Sequence, residues 1–238
     1  MAGAWLVLPT YNEAENIDAI LRAVTKELGD AGIDHTVLVV DDGSPDGTGE
    51  IAEKLALDLP PVQVLHRQRK EGLGRAYLAG FEVALGGDAD LVLEMDSDFS
   101  HDPADLPRLI AAAENADLVL GSRYVPGGGV VDWGLSRRLL SRGGSWYARV
   151  ILGVDVRDLT GGFKCFRRSV LETLDLAGID AYGYGFQIEM TYRAIRAGFR
   201  VKEVPIQFRE RRIGQSKMTA KIALEAVWKV PALRLRLR

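Results

Sequence analysis

The chain has 238 residues, with 30 Lys and Arg against 33 Asp and Glu and a single cysteine. Its 47% hydrophobic and 26% charged residues are the composition of a globular protein, which excludes a disordered, collagen-like or disulfide-stapled chain. One cysteine forms no internal bridge and no Asn-x-Ser/Thr sequon occurs, both of which fit a reducing, cytoplasmic setting.

The net charge of −3 hides an asymmetry, because residues 1–60 carry 3 basic and 12 acidic side chains and residues 201–238 carry 10 basic and 3 acidic. A basic end on an acidic body points to an anionic partner, whether a phosphate compound, a membrane surface or a nucleic acid. The start lacks the basic flank of a signal peptide. No uninterrupted apolar run reaches the roughly 18 residues of a spanning helix.

Apolar runs alternate with helical spacings over the first 125 residues. Trp5 to Leu8 reads as a strand, followed by a helix on Ile17, Ile20, Leu21, Val24 and Leu28 with Asn12 as its N-cap. Val37 to Val40, Val62 to Leu65, Leu91 to Met95 and Leu118 to Leu120 read as further strands, with helices around Ile51 and Leu55, over 73–86 and near 104–115. Beyond them the spacing predicts helices over 136–152, 184–197 and 219–230, and a strand from Val201 to Phe208 that Pro205 places at an edge. Cys165 reads as a buried strand residue without chemistry, and His35, His66 and His101 share no metal-like spacing.

Apolar strands separated by helices indicate an α/β fold, a mostly parallel sheet flanked by helices, and ligands of such sheets bind beyond the carboxyl ends of the strands. Polar segments follow four of those ends: Pro9-Thr10-Tyr11-Asn12-Glu13, Asp41-Asp42-Gly43-Ser44-Pro45-Asp46-Gly47, Asp96-Ser97-Asp98 and Gly121-Ser122-Arg123-Tyr124. Two carboxylates at i and i+2 past a strand suit one hard cation, as Mg²⁺ takes one or two carboxylates plus substrate phosphates. Asp42 is placed to accept from a ribose hydroxyl or a base edge, while Ser44 to Thr48 is mainly turn. The glycines spell neither a dinucleotide fingerprint nor a P-loop. Arg123, Arg137, Arg211 and Lys217 are candidate phosphate cations. Aromatics do not interleave with basic residues, so nucleic acid is not expected as a partner.

Together with Gly72-Leu73-Gly74 and Gly214-Gln215-Ser216-Lys217, these motifs in this order resemble the inverting family-2 glycosyltransferases of GT-A fold, and within them the dolichol- and polyprenyl-phosphate mannose synthases. The resemblance reaches about residue 220. It implies a glycosyltransferase domain over 1–218, with 1–125 the nucleotide-binding half and 126–218 a smaller acceptor half; beyond it, basic and apolar residues interleave over 219–238 as a basic amphipathic tail suited to an anionic bilayer. It further implies that Pro9, Tyr11, Glu13, Val40 and Asp42 hold the guanosine of GDP-mannose and that Asp96, Ser97 and Asp98 line the nucleotide and metal. A Mg²⁺ or Mn²⁺ ion is expected on Asp96 and Asp98. Ser100 stands where an archaeal-type member carries a glutamine ligand, so a water is expected to complete that shell. Arg123, Arg137, Arg211 and Lys217 match residues contacting the donor or the acceptor phosphate, with Ser141 beside the latter. The implied partners are a polyprenyl-phosphate lipid, the cytoplasmic membrane surface and a membrane-anchoring protein. A UDP-dependent glucosyl or aminosugar transferase, or a noncatalytic nucleotide-sugar binder, is the alternative.

Overall fold

In chain order the elements are β1 (Ala4–Thr10), α1 (Ile17–Asp30), β2 (His35–Asp41), α2 (Thr48–Asp58), β3 (Val62–His66), α3 (Leu73–Gly86), β4 (Leu91–Glu94), α4 (Leu106–Ala112), β5 (Leu118–Ser122), β6 (Gly129–Val130), α5 (Leu135–Leu152), β7 (Lys164–Arg167), α6 (Arg168–Thr173), α7 (Gly183–Arg196), β8 (Val201–Pro205), β9 (Gln207–Phe208) and α8 (Ala220–Arg236). This computed structural model describes residues 3–179, 183–210 and 220–237.

Seven strands form one sheet in the order β3-β2-β1-β4-β7-β5-β8, and β6 pairs with β9 beside it. All pairings in the large sheet are parallel except those of β7, which runs antiparallel to both β4 and β5. Pro205 ends β8 at the sheet edge, where its missing N–H costs no ladder bond.

Alternation along the strands divides the core. Leu6, Leu8, Val37, Val39 and Leu93 face α1, α2 and α4, whereas Val7, Leu38, Val40 and Val92 face the opposite layer, which includes α3, α5 and α7. A strand buried on both sides must be apolar at every position, which explains the unbroken runs. Gly80 lets α3 lie flat on β1, since a Cβ there would stand 2.3 Å from Val7 Cγ1.

Three features differ from the sequence expectation, the first being the strand expected from Val201 to Phe208, which divides at Ile206 into β8 and β9 of separate sheets. The N-cap of α1 is Asn16, not Asn12. Asn12 instead adopts φ 58°, a left-handed turn that asparagine tolerates, and its N–H donates to Ser44 Oγ at 3.1 Å. The last helix runs to Arg236 instead of stopping at 230, with Pro231 inside it. Proline removes the N–H that would bond the Val227 carbonyl, and the Tyr147 hydroxyl donates to that oxygen at 2.8 Å instead. Val230 and Leu233 of this helix are buried in the layer that contains Phe186 and Ala148. The helix is therefore docked on the body along that face, not laid out wholly as a tail.

Candidate active site

The carboxyl ends of β1, β2 and β4 lie side by side because those strands are parallel neighbours. The Asp42 N–H donates to the Thr10 carbonyl at 3.0 Å, and Ser97 Oγ donates to the Pro9 carbonyl at 3.3 Å. Pro9 and Ser97 thus tie the first strand to the acidic loop. Val40 is fully buried with its side chain towards α3, so any ligand contact there would come from backbone. Glu13 accepts from Asn16 Nδ2 at 2.8 Å, which fastens it to the start of α1.

Asp42 is buried and engaged by the 67–72 loop. It pairs with Arg67 and accepts the N–H groups of Glu71 and Gly72 at 3.1 and 3.2 Å. The same loop places Lys70 Nζ 3.7 Å over the Tyr11 ring. Loop closure over Tyr11 was not foreseen, and Asp42 has this structural task besides any contact with a nucleoside.

The acidic loop follows β4. Asp98 Oδ1 accepts the Ser100 N–H at 3.0 Å, a return made possible by Phe99 at φ 60°. A bulky residue held left-handed is strained backbone, which persists only where its surroundings enforce it. Tyr77 of α3 donates to Asp96 Oδ1 at 3.4 Å. Burial, and then the Asp96 charge, push the Tyr77 phenol well above its ordinary value, so it remains a donor. Ser100 Oγ is buried and has no hydrogen-bond partner among the described residues. Two carboxylates and a spare hydroxyl are hard oxygen donors of the kind Mg²⁺ and Mn²⁺ accept. Among the described residues no three His, Cys, Asp or Glu side chains gather as a metal cluster. A cation here would thus take the rest of its shell from substrate and water.

Beneath this loop, Glu94 and Lys164 form a buried ion pair at 3.2 Å across β4 and β7. Lys164 Nζ also donates to the Gln187 carbonyl at 3.1 Å and to its side-chain oxygen. Burial pushes the Glu94 carboxyl up and the Lys164 ammonium down.

Arg123 follows β5 and is buried. Its Nε and one terminal nitrogen donate to Asp158 at 2.7 and 2.6 Å, and the latter nitrogen also donates to Thr160 Oγ1 at 2.8 Å. The rings of Tyr124, Trp133 and Phe208 lie 5.2, 5.9 and 5.4 Å from the guanidinium carbon. Arg123 is therefore a fixed, charge-balanced group, where the sequence suggested a cation available for phosphate. Arg137 at the start of α5 stacks 4.0 Å over Trp133 and pairs with Glu210 at 2.5 Å. Ser141, one turn on, faces inward and accepts from the Tyr124 hydroxyl at 2.7 Å. Arg211 and Lys217 lie outside the described residues. The N–H of Arg209 donates to the Ser100 carbonyl at 3.1 Å, so the segment leading to them is pinned to the acidic loop.

Sequence reasoning missed Asp158, Thr160, Arg67 and Tyr77. Asp158-Leu-Thr-Gly-Gly, a turn just before an apolar strand, was the one signal available for the first two.

An acidic pair after a central parallel strand, and an arginine after β5 on the far side of an antiparallel strand, sort this sheet with the GT-A glycosyltransferases. The chain belongs to glycosyl transferase family 2, whose model matches residues 5–175. It is 49% identical over 221 residues to an undecaprenyl-phosphate mannosyltransferase of Micrococcus luteus, covering 93% of this chain and 89% of that one. It is 48% identical over 233 residues to a polyprenol monophosphomannose synthase of Mycolicibacterium smegmatis, covering 97% and 86%. Among solved structures, glucosyl-3-phosphoglycerate synthase of Mycobacterium tuberculosis, in complex with Mn²⁺, UDP and phosphoglyceric acid, aligns with a TM-score of 0.72 at 22% identity, covering 98% of this chain and 78% of that one. A Pyrobaculum calidifontis mannosyltransferase in complex with GDP-Man and Mn²⁺ aligns at 0.60 and 17% identity, covering 98% and 73%. These structural likenesses establish the fold.

Proposed function

We propose that this chain transfers mannose, with inversion, from GDP-mannose to a polyprenyl monophosphate, releasing GDP at the cytoplasmic face of a membrane. The observation that carries the reading is near-50% identity, over more than nine-tenths of the chain, to two relatives named for mannose transfer to such lipids. The chemistry explains why no general base stands at the site. The nucleophile is a phosphate oxygen, and a phosphate monoester with a second pKa near ~6 is largely ionised at neutral pH.

A divalent cation, when bound, neutralises charge developing on the departing diphosphate. Asp96 and Asp98 would hold it, with Ser100 Oγ or a water completing the shell. Tyr77 orients Asp96, and the Ser100 N–H orients Asp98. Tyr11, Glu13 and Asp42 border the nucleoside side. Arg123, braced by Asp158, forms the wall towards the donor phosphates. Arg137, Arg211 and Lys217 draw in the acceptor phosphate, and the hydrogen-bonded Tyr124 and Ser141 support it from the described side of the site. A membrane-anchoring protein is a further partner of this reading.

The test incubates the purified chain with a short polyprenyl phosphate and radiolabelled GDP-mannose or UDP-glucose, with Mg²⁺, Mn²⁺ or EDTA. Lipid-phase label from GDP-mannose and a divalent cation is expected. Equal or faster transfer from UDP-glucose would overturn the donor assignment.

A further inference from the structure

Arg137 stands in an electrostatically poor place. It lies in the first turn of α5, where no acidic residue occurs and Arg138 is its neighbour. The positive end of a helix dipole disfavours cations, so this arginine gains nothing from its own helix. Its position is set instead by Trp133, two residues ahead of the helix, whose ring centroid lies 4.0 Å from the guanidinium carbon.

The ring itself is fixed. Trp133 is 7% exposed, and Phe208 meets it edge-on with centroids 5.3 Å apart and planes at 74°. β6 and β9 hold Phe208 in register with Val130, and the Val131 N–H donates to the Phe208 carbonyl at 2.8 Å. Asp132 turns the chain at φ 61° immediately before the indole, a left-handed conformation that aspartate reaches more readily than most residues. The indole N–H is buried and has no hydrogen-bond partner among the described residues. An unmet buried donor costs stability, so what the site draws from this residue is its ring face. Tryptophan offers a cation the strongest such face.

Glu210 pairs with the same guanidinium at 2.5 Å, but its side chain is 48% exposed. An exposed ion pair contributes little and yields readily to a stronger anion.

We infer that Trp133 is a positioning residue for the acceptor, its ring holding the Arg137 guanidinium in one orientation while the partner anion changes from Glu210 to the lipid phosphate. The inference rests on the proposed function, in which Arg137 draws in that phosphate. Fixing a flexible arginine costs rotamer freedom, and a platform that fixes it beforehand removes that cost from binding. Arg123 lies farther from the ring, at 5.9 Å, and Asp158 already holds it. The effect of Trp133 therefore falls on the acceptor and not on the donor.

The experiment measures initial rates with radiolabelled GDP-mannose and water-soluble geranyl phosphate, each varied in turn. Trp133→Leu is expected to raise the acceptor KM about tenfold and leave the GDP-mannose KM within about twofold of wild type. Trp133→Phe, which keeps a ring face, should stay within about threefold on both. In an Arg137→Gln background, Trp133→Leu should change the acceptor KM by less than about twofold, because the group it positions is gone.

An unchanged acceptor KM in Trp133→Leu would overturn the inference. So would an equal rise in both KM values, or a full tenfold effect in the Arg137→Gln background. If Trp133→Leu does not fold, Phe208→Leu, which removes the edge contact on the ring, should raise the acceptor KM about threefold; no change there also overturns it. Calorimetric binding of geranyl phosphate without donor separates the two readings. A wild type that binds it but transfers no mannose refutes the proposed function, while tenfold weaker binding by Trp133→Leu still supports the positioning role. A wild type that transfers mannose and a Trp133→Leu variant that matches it overturn the positioning role alone.

Discussion

Asp158 grips Arg123 from two directions at once, its carboxylate accepting the arginine's backbone N–H at 2.9 Å as well as its guanidinium. Glu203 sets that carboxylate in turn, accepting the N–H groups of Arg157 and Asp158 at 2.9 and 3.0 Å. A strand end, a loop and the edge strand are thus locked into one unit. Burial alone would push the Asp158 carboxyl up, but the Arg123 charge and hydrogen bonds outweigh it and hold the group below the ordinary aspartate value of 3.8. A depressed carboxyl contributes stability above its unfolded value and loses it as pH falls through the folded one. Asp158→Asn should destabilise the fold by about 3–5 kcal/mol at neutral pH, because a buried guanidinium loses its counter-charge. Urea titrations at pH 7 and below pH 4 should show the difference shrinking in acid.

Asp98→Asn should lower turnover by about 100-fold or more while leaving the urea midpoint near wild type, because its effect is on charge at the leaving diphosphate. EDTA should abolish wild-type transfer and added Mn²⁺ or Mg²⁺ restore it. Initial rates with radiolabelled GDP-mannose check both.

The Glu94–Lys164 pair has no exposure to water. Lys164→Met should cost about 3–5 kcal/mol by stranding a buried carboxylate, whereas Glu94→Leu with Lys164→Met should recover most of the loss. Chemical denaturation of the single and double variants reads the difference directly.

Tyr147→Phe should destabilise by about 0.5–1.5 kcal/mol, the worth of one hydrogen bond. The loss should concentrate in α8, whose Pro231 makes that bond the replacement for a missing helical one. Amide exchange that rises in α8 more than in the sheet is the expected pattern.

Burial pushes the Cys165 thiol up to about 12. A disulfide reagent at pH 8 should leave the native protein unlabelled and titrate one thiol after unfolding.

The strands and most helices of the first half were legible because doubly buried strands must be apolar and amphipathic helices periodic. The acidic segments were legible because their chemistry needs particular side chains at a strand end. What escaped was the part that depends on long-range pairing. Nothing local in Asp158-Leu-Thr announces that an arginine 35 residues earlier will lie against it. Asn12 was misplaced as an N-cap because asparagine suits both a cap and a left-handed turn, and the Ser44 hydroxyl across the edge decided between them. Arg123 looked like an open cation because its counter-charge is invisible without the fold. The spacing marks α5 as a helix, but that Ser141 and Ser145 turn inward beside Ala148 and Leu152 emerges only once its neighbours are known.

The antiparallel strand β7 carries a consequence for synthesis. It lies between β4 and β5, so the strand bearing the acidic pair and the strand bearing Arg123 cannot be joined until residues 164–167 have been made. A ribosome that has released the first 125 residues has delivered both halves of the cleft with an open seam between them. Each of β4 and β5 then presents an unpaired apolar edge, which invites association with other nascent chains. Between translating Ser122 and translating Arg167 the sheet therefore stands open at its centre, and β5 gains its second neighbour only when Val201–Pro205 follows.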